Sequence, residues 1–309
     1  MINIIKNCYH NSDYGYILIN PVKRVYKYLQ FLIYSDEDYV KKGFKQNLGY
    51  ELNLDNPQTF NEKLQWLKLN VQTELHTICA DKLAVREYIK EQIGEEYLIP
   101  LIFSTSDVKK ITSNNFPDYP VIIKSNHDSG KVLVIKDKSL VNWKLIQLLF
   151  ASILKNNFYY IGREQQYKNI KPTILIEKLL LDKNKNIPND YKLHCFNGKL
   201  LFTQVDKGRF DKHTRSYIDI DWNLLDCKVR LENEYIEKPK NMDKMQKLAE
   251  ILAKPFDYVR VDFYSFDNNI YFGELTFCPG SGWDYYSPLS NDYNFGKKLD
   301  LSTFSKEDS

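Results

Sequence analysis

The chain has 309 residues, 43% of them hydrophobic and 27% charged, which is typical of a soluble globular protein with one large core or two lobes. Its 43 basic and 40 acidic residues leave a net charge of +3, which argues against a protein built mainly to bind nucleic acid. The five cysteines are scattered and never spaced as CxxC, so we expect a reducing, cytoplasmic environment without disulfides or a cysteine zinc site.

Residues 1–75 are predicted to form a mainly helical region. "VKRVYKYLQFLIYS" has apolar residues at helical spacing; its aromatic content suits a membrane interface at most, and a buried helix is expected. "NPQTFNEKLQWLKLN" has Thr59 as a cap and Glu62 three residues later, and "ADKLAVREYIKEQIG" predicts another helix, from about Asp81 to Gly94. No run reaches the roughly 20 apolar residues of a membrane span, and the first residues lack the core of a signal peptide.

From about residue 98 the pattern changes to strands interrupted by two helices. Strands are predicted at "YLIPLIFS", "PVIIK", "KVLVIKD" and "KPTILIEKLL", and a hairpin joins "DYKLHCF" to "KLLFTQVD" through Asn197-Gly198. "NWKLIQLLFASILKNNFYY" and "MDKMQKLAEILAKPF" are predicted helices. We therefore expect an α+β protein with a first lobe over residues 76–180, a second lobe over residues 181–300 and a frayed tail over residues 301–309.

The stretch "YVRVDFYSFDNNIYFGELTF" predicts a second hairpin with one apolar and one polar face. A three-residue loop, residues 267–269, would pair Asp262 with Glu274 and Arg260 with Thr276. Two carboxylates directly opposite each other destabilise a sheet unless a cation neutralises them. A Mg²⁺ ion could do so, and the alternative is a salt-bridge cluster in which Arg260 bridges both acids.

Two further segments could bind an anion. Gly280, Ser281 and Gly282 follow the hairpin and could offer backbone N–H groups, although a plain turn is the simpler interpretation. The basic stretch "DKGRFDKHTRSYID" contains Arg209 and Arg215 and could hold a carboxylate or phosphate substrate, with solvated loop charge as the alternative.

Two lysines are placed where they could meet phosphate groups. Lys124 ends the strand "PVIIK" and precedes a polar loop whose Ser129 and Gly130 would cover a bound phosphate. Lys82 stands near a helix start. A solvent-exposed lysine is the alternative at both positions.

Three residues could contact a nucleoside. Glu177 follows the buried run "TILI" and could accept a hydrogen bond from an exocyclic amine while the adjacent backbone pairs with a base edge; an edge-strand charge is the alternative. Asp190 begins the next strand, together with Lys192, and could bind a ribose hydroxyl.

The order of these residues resembles the ATP-grasp superfamily over about residues 80–290. The motifs "NPQTFNEKLQWLK", "DKLAVREYI", "NDYKLHCFNGK", "VRVDFY" and "FGELTF" are similar to its TupA-like branch, associated with teichuronopeptide and other bacterial surface polysaccharides. One residue departs from the pattern, because Thr276 stands where these enzymes usually have Asn.

The resemblance implies a fold in which two α+β lobes enclose ATP. Lys82 and Lys124 would then contact the ATP phosphates. Glu177 and the backbone of Lys178–Leu179 would bind adenine, and Asp190 would bind the ribose.

At the other end of the nucleotide, the resemblance implies that Asp262 and Glu274 hold Mg²⁺ between the β- and γ-phosphates, with Thr276 as a further ligand. Arg260 would face the transferred phosphoryl group or the acyl intermediate.

The expected activity is that of an ADP-forming carboxylate–amine ligase. The branch suggests a uronic acid of a surface polysaccharide, or a nucleotide-linked sugar acid, as the carboxylate, with an amino acid or small amine as its partner. The reaction could use a soluble precursor or a growing chain at the inner face of the membrane. The alternatives are a glycosyltransferase, an ATP-grasp phosphotransferase and a non-catalytic scaffold.

Overall fold

The computed structural model describes residues 2–128, 131–208 and 212–302 of the chain, and the side chains from residue 7 onward. The predicted helical N-terminal region is confirmed, and none of its helices, nor any other in the described residues, is long and apolar enough to cross a membrane. The helices before the first strand are α1 (Ile2–Asn11), α2 (Asp13–Ile33), α3 (Asp36–Leu48), α4 (Phe60–Asn70), α5 (Glu74–Ala80) and α6 (Val85–Gln92).

Local signals in the sequence set the ends of these helices. The predicted capping box is present, because the Thr59 side chain accepts from the Glu62 N–H and the Glu62 side chain accepts from the Thr59 N–H. The helix predicted from Asp81 to Gly94 is shorter than expected. Asp81 ends α5, and its side chain accepts from the N–H groups of Leu83 and Ala84 in the turn that leads into α6.

Helix α2 is not the buried helix that the sequence predicts. Its inner face, with Tyr16 and Asn20, is buried against the first lobe, but its outer face is apolar and exposed to solvent. Periodicity locates the apolar positions of a helix, but it does not show whether another element covers them.

The first lobe is a four-stranded antiparallel sheet in the order β1-β4-β2-β3. Its core face packs against helix α7, where Leu149 and Phe150 contact the buried side chains of Ile123 and Ile176. Lys124 and Glu177 belong to the opposite face of this sheet. The elements are β1 (Leu101–Thr105), β2 (Val121–Ser125), β3 (Leu133–Ile135), α7 (Trp143–Ile153), α8 (Tyr159–Gly162) and β4 (Ile174–Lys178).

The second lobe is a five-stranded antiparallel sheet in the order β7-β6-β5-β8-β9. Helix α9 covers its apolar face, together with α5 and α6, which the sequence assigned to the first lobe. The predicted Asn197-Gly198 turn joins β5 to β6, with φ angles of 46° and 79°. The elements are β5 (Asp190–Phe196), β6 (Lys199–Lys207), β7 (Thr214–Ile218), α9 (Met242–Ala253), β8 (Tyr258–Phe266), β9 (Asn269–Thr276) and α10 (Ser290–Gly296).

Strand β7 was not predicted from the sequence. The stretch that contains Arg215 was expected to be a charged loop, but its second half pairs with the edge of β6, where Arg215 lies opposite Asp206. A short edge strand with several charged residues has little apolar alternation to reveal it.

The β8–β9 hairpin has the predicted residue pairs, but its loop length differs from the prediction. The three-residue loop is wrong, because Phe266 pairs with Asn269 and the loop is Asp267-Asn268, both at positive φ. A bulge at Gly273 then shifts the register by one residue. Asp262 therefore lies opposite Glu274, and Arg260 lies opposite Thr276, as predicted.

We predict that Gly273→Val lowers the free energy of unfolding by about 1 kcal/mol or more. A Cβ atom at this position would lie 3.2 Å from the Asp262 carbonyl oxygen and 3.3 Å from Cε2 of Tyr264, so these neighbours would have to move by a few tenths of an ångström. Valine otherwise favours a strand more than glycine does, so strand propensity cannot produce the loss. Urea unfolding measures it, and a variant as stable as the wild type would contradict the role given to this bulge.

Candidate active site

A cleft of about 520 Å³ lies between the two sheets and contains most of the predicted site residues. This volume is within the usual range for a nucleotide or other small-molecule site. Ser129, Gly130 and Arg209 lie outside the described residues. The predicted residues that line the cleft are Lys82, Lys124, Glu177, Lys178, Leu179, Asp190, Lys192, Arg215, Arg260, Asp262 and Glu274.

The alternation of the strands explains why the charged residues meet there. In β8, Val259 and Val261 point into the second-lobe core, so Arg260 and Asp262 point to the other face. A second cavity of about 530 Å³ lies beside β3 and is lined by none of the predicted site residues that the structure describes.

Arg260 is the centre of a buried ion cluster. Its Nε is 2.7 Å from Oδ1 of Asp262, and one terminal nitrogen is 2.7 Å from Oδ2 of Asp262 and 3.1 Å from Oε1 of Glu274. The same nitrogen donates to the Thr276 hydroxyl at 3.0 Å. Burial works to lower the pKa of Arg260, but the two carboxylates outweigh it and hold that pKa well above its ordinary value. The predicted salt-bridge cluster is therefore present.

Lys192 extends the cluster toward Asp190 on β5. Its Nζ lies 2.6 Å from an oxygen of Asp190 and 2.6 Å from Oδ2 of Asp262, and all three side chains are buried. Burial raises the pKa of Asp262, whereas the two neighbouring cations, Arg260 and Lys192, act to lower it. Lys192 thus neutralises two acids from adjacent strands.

Arg215 forms a second ion pair that the sequence did not reveal. Its Nε and one terminal nitrogen are 2.7 and 2.9 Å from the two carboxylate oxygens of Asp206. Although burial favours a raised pKa for Asp206, these bonds hold the pKa well below its ordinary value. A bulge between His194 and Cys195 puts Asp206 opposite Asp190, a shift that alternation counted from the turn does not anticipate.

The first-lobe side of the cleft carries the lysines. Nζ of Lys124 is 2.7 Å from Glu177, whose other oxygen is 3.4 Å from Arg86 of α6. Nζ of Lys82 donates to the Asp128 carbonyl oxygen at 2.5 Å and is 3.9 Å from Oε2 of Glu274. Arg86 was missed, because only the packing of α6 brings it to Glu177.

The backbone N–H groups of the two residues predicted to bind adenine, Lys178 and Leu179, already form hydrogen bonds within the protein. The N–H of Lys178 donates to the carbonyl oxygen of Pro100, and the N–H of Leu179 donates to that of Pro120, both at 3.0 Å. A base edge bound at these two residues would therefore have to use their carbonyl oxygens.

A family model described as TupA-like ATPgrasp matches residues 62–300. The chain belongs to this TupA-like ATP-grasp family. The match includes every cleft residue described above, and the two α+β lobes are those of the ATP-grasp fold. No curated protein sequence matches the chain.

Several solved structures resemble the chain, with low sequence identity and low TM-scores. D-alanine–D-alanine ligase from Bacillus anthracis complexed with ATP is 18% identical over 64% of this chain and 53% of its own, with a TM-score of 0.38. The Helicobacter pylori D-alanine–D-alanine ligase is 15% identical over 79% and 70%, with a TM-score of 0.41. Macrocyclase MdnC from Microcystis aeruginosa, bound with precursor peptide MdnA, is 12% identical over 74% and 63%, with a TM-score of 0.37. The chain thus spans about half the length of the first of these proteins.

The turn predicted to bind an anion is not part of this TupA-like cleft. Gly280, Ser281 and Gly282 do not line it, and the N–H of Ser281 donates to the Cys278 carbonyl oxygen at 2.9 Å. The Ser281 carbonyl oxygen in turn accepts from Lys68 of α4 at 2.7 Å. These contacts favour the plain-turn interpretation, in which the turn holds α4 against the second lobe.

The family implies a Mg²⁺ ion, and the donor atoms present fit one in part. Asp262, Glu274 and Thr276 supply only oxygen donors, which Mg²⁺ prefers, and the Glu274 side chain is 31% exposed to the cleft. Both oxygens of Asp262 are already hydrogen-bonded to Arg260 or Lys192, so its coordination would require Arg260 to move away. In the described part of the chain, no three His, Cys, Asp or Glu side chains could hold a metal by themselves. Phosphate oxygens would have to complete the shell.

We predict that Lys192→Met lowers the free energy of unfolding at pH 7 by about 3 kcal/mol, because it leaves two buried carboxylates short of a counter-ion. Burial already raises the pKa of Asp262, and without Lys192 that pKa in the folded state should rise further above its unfolded value. The folded variant then gains protons as the pH falls, so its deficit relative to the wild type should shrink from pH 7 toward about pH 4. Urea unfolding at a series of pH values tests this, and a deficit that is independent of pH would contradict it.

Proposed function

We propose that the chain is an ATP-dependent, ADP-forming carboxylate–amine ligase. The observation that carries the proposal is the charge arrangement of the cleft in a chain of the TupA-like ATP-grasp family. Lys82 and Lys124 line one side, and the Arg260–Asp262–Glu274 cluster lines the other. Cations on both sides of a partly closed cleft suit a nucleoside triphosphate, and they suit a reaction in which negative charge develops on the transferred phosphoryl group.

The residues have separate tasks in this proposal. Lys82 and Lys124 bind the ATP phosphates, with Ser129 and Gly130 covering them. Glu177 and the Lys178–Leu179 backbone bind adenine. Lys124 leaves its ion pair with Glu177 to reach a phosphate, while Arg86 continues to neutralise the acid.

Asp190 binds the ribose, and Lys192 holds that acid in position. Asp262, Glu274 and Thr276 would hold Mg²⁺, which when bound neutralises phosphate charge. Arg260 then turns from the carboxylates to the transferred phosphoryl group. Exchange of one cation for another keeps the acids neutralised at every stage.

The carboxylate substrate attacks the γ-phosphorus of ATP and releases ADP. The amine then attacks the carbonyl carbon of the resulting acyl phosphate, loses a proton and releases inorganic phosphate, so that an amide forms. Arg215, together with Arg209, would bind the carboxylate before the first step. Closure of the lobes would keep water from the acyl phosphate.

The substrate in this proposal is a sugar acid, namely a uronic acid of a bacterial surface polysaccharide or of its nucleotide-linked precursor, as the resemblance to the TupA-like branch implies, and Arg215 in the cleft could pair with its carboxylate. An amino acid or small amine would be the partner. A glycosyltransferase fits less well, because Asp262 and Glu274 lie on different strands and do not form a close Asp-x-Asp pair.

The decisive assay measures ADP release from ATP with uronic acids and amines offered singly and in pairs. The proposal expects rapid ADP release only when both an acid and an amine are present, together with amide formation by mass spectrometry. ADP release with a hydroxyl acceptor alone would replace the ligase with a phosphotransferase. Binding of a UDP-sugar without ATP binding would favour the glycosyltransferase.

We predict that Glu274→Gln weakens Mg²⁺-dependent ATP binding by about tenfold or more, because the most accessible carboxylate of the cluster loses its charge. Titration calorimetry with and without Mg²⁺ measures the effect. Glu232→Gln is the matched control, because the Glu232 side chain is 81% exposed and forms an ion pair with Lys228 at the surface. Equal Mg²⁺ dependence in wild type and Glu274→Gln would remove Glu274 from the metal site.

A further inference from the structure

One face of α2 is apolar along its whole length and is not covered by any described part of the chain. Its members recur every three or four residues, which places them on one side of the helix. Each is between 45% and 75% exposed, and the face runs for about 30 Å. We call this face the α2 stripe; it consists of Tyr14, Leu18, Val22, Val25, Tyr26, Tyr28, Leu29, Leu32 and Ile33.

The stripe has a fixed orientation, because the opposite face of α2 is anchored to the first lobe. The amide nitrogen of Asn20 donates to the Ser152 hydroxyl at 3.0 Å and to the Asn156 side chain at 2.9 Å. Phe31 makes an edge contact with the Tyr159 ring. The helix is therefore docked, and its exposed side is a permanent surface of the protein.

The charges of α2 lie away from the stripe. Lys23 contacts the Tyr9 ring, and Lys27 donates to the Tyr39 hydroxyl at 2.7 Å. With Arg24 they give the helix three cations against one acid, Asp13, which is itself paired with Lys131. The stripe is thus a purely apolar and tyrosine surface on a helix with a net charge of +2.

Soluble monomers rarely expose a continuous apolar surface of this extent, so something is expected to cover it. We propose that the α2 stripe binds the surface of an anionic lipid bilayer, with α2 lying in the plane of the interface. The stripe is a single convex helix face, whereas a protein-docking site commonly offers a groove with a polar rim. The tyrosines of the stripe, and the cations of α2 on the opposite side of the helix, match an amphipathic helix lying at the surface of an anionic membrane.

An ion pair connects helix α2, which carries the stripe, to the lining of the cleft. Asp13, in the first turn of α2, is 2.5 Å from Nζ of Lys131, and Lys131 lines the cleft beside Asp128. Membrane binding would therefore hold the cleft close to the bilayer surface. This inference goes beyond the ligase proposal and does not depend on it, because it rests on the exposure of the stripe and the net charge of α2.

Vesicle co-sedimentation of the full chain tests the inference. The probes are vesicles of phosphatidylglycerol and phosphatidylcholine in equal parts, and vesicles of phosphatidylcholine alone. The test variant is Leu18→Glu/Val25→Glu, at residues 75% and 56% exposed. The control is Tyr235→Glu/Ile220→Glu, which makes the same charge change at residues 75% and 57% exposed in the second lobe.

We expect the wild type and the control to bind the anionic vesicles, more weakly at high salt, and the test variant to bind at least about tenfold less. Thermal unfolding checks that the variant is folded; if it is not, Leu18→Glu alone repeats the assay. Absence of wild-type binding, or equal binding by the test variant, would overturn the proposal. So would a wild-type dimer that the test variant abolishes without any vesicle binding, because a second copy would then cover the stripe.

Discussion

The arrangement of the cleft depends on one electrostatic constraint, the neutralisation of Asp262. This carboxylate is buried on the cleft-facing side of a β-sheet, directly opposite Glu274 and two residues from Arg260. Buried like charges are costly unless cations contact them, and here Arg260 and Lys192 together provide the contacts. The bulge at Gly273 serves this constraint, because without it the alternation of β9 would direct Glu274 away from the cluster.

The same constraint suits the site to exchange one cation for another. Arg260 neutralises this acidic pair only in part before a nucleotide arrives, and the pair could accept a metal once the guanidinium finds another anion. The phosphate groups of ATP would supply that anion. Lys124 is held in a similar way, since it pairs with Glu177 and would leave that acid for a phosphate group in the proposed reaction. Both sides of the cleft thus carry cations that could pair with the phosphate groups of ATP, the nucleotide that the TupA-like ATP-grasp family implies.

The sequence predicts the strands and the polar face well, because period-two alternation is a strong local signal around residues such as Val259 and Val261. It does not reveal the bulges. The pairing of Asp262 with Glu274 was predicted correctly although the loop length was wrong, because the bulge at Gly273 offsets the shorter loop. Asp206 was missed because a bulge near Cys195 shifts the register between β5 and β6. Contacts between distant elements, such as Arg86 with Glu177, depend on helix packing that no local pattern encodes. The exposure of α2 is hidden for the same reason.

The central claim is that Asp262 and Glu274 form the metal end of a nucleotide cleft. Crystals grown with Mn²⁺ and a non-hydrolysable ATP analogue test it most directly, because anomalous scattering locates the metal independently of the protein density. The account predicts an anomalous peak within bonding distance of Glu274, with Arg260 displaced from Asp262 toward the phosphates. A nucleotide bound elsewhere, or a metal bound only by phosphate while Arg260 keeps both of its carboxylate partners, would contradict it.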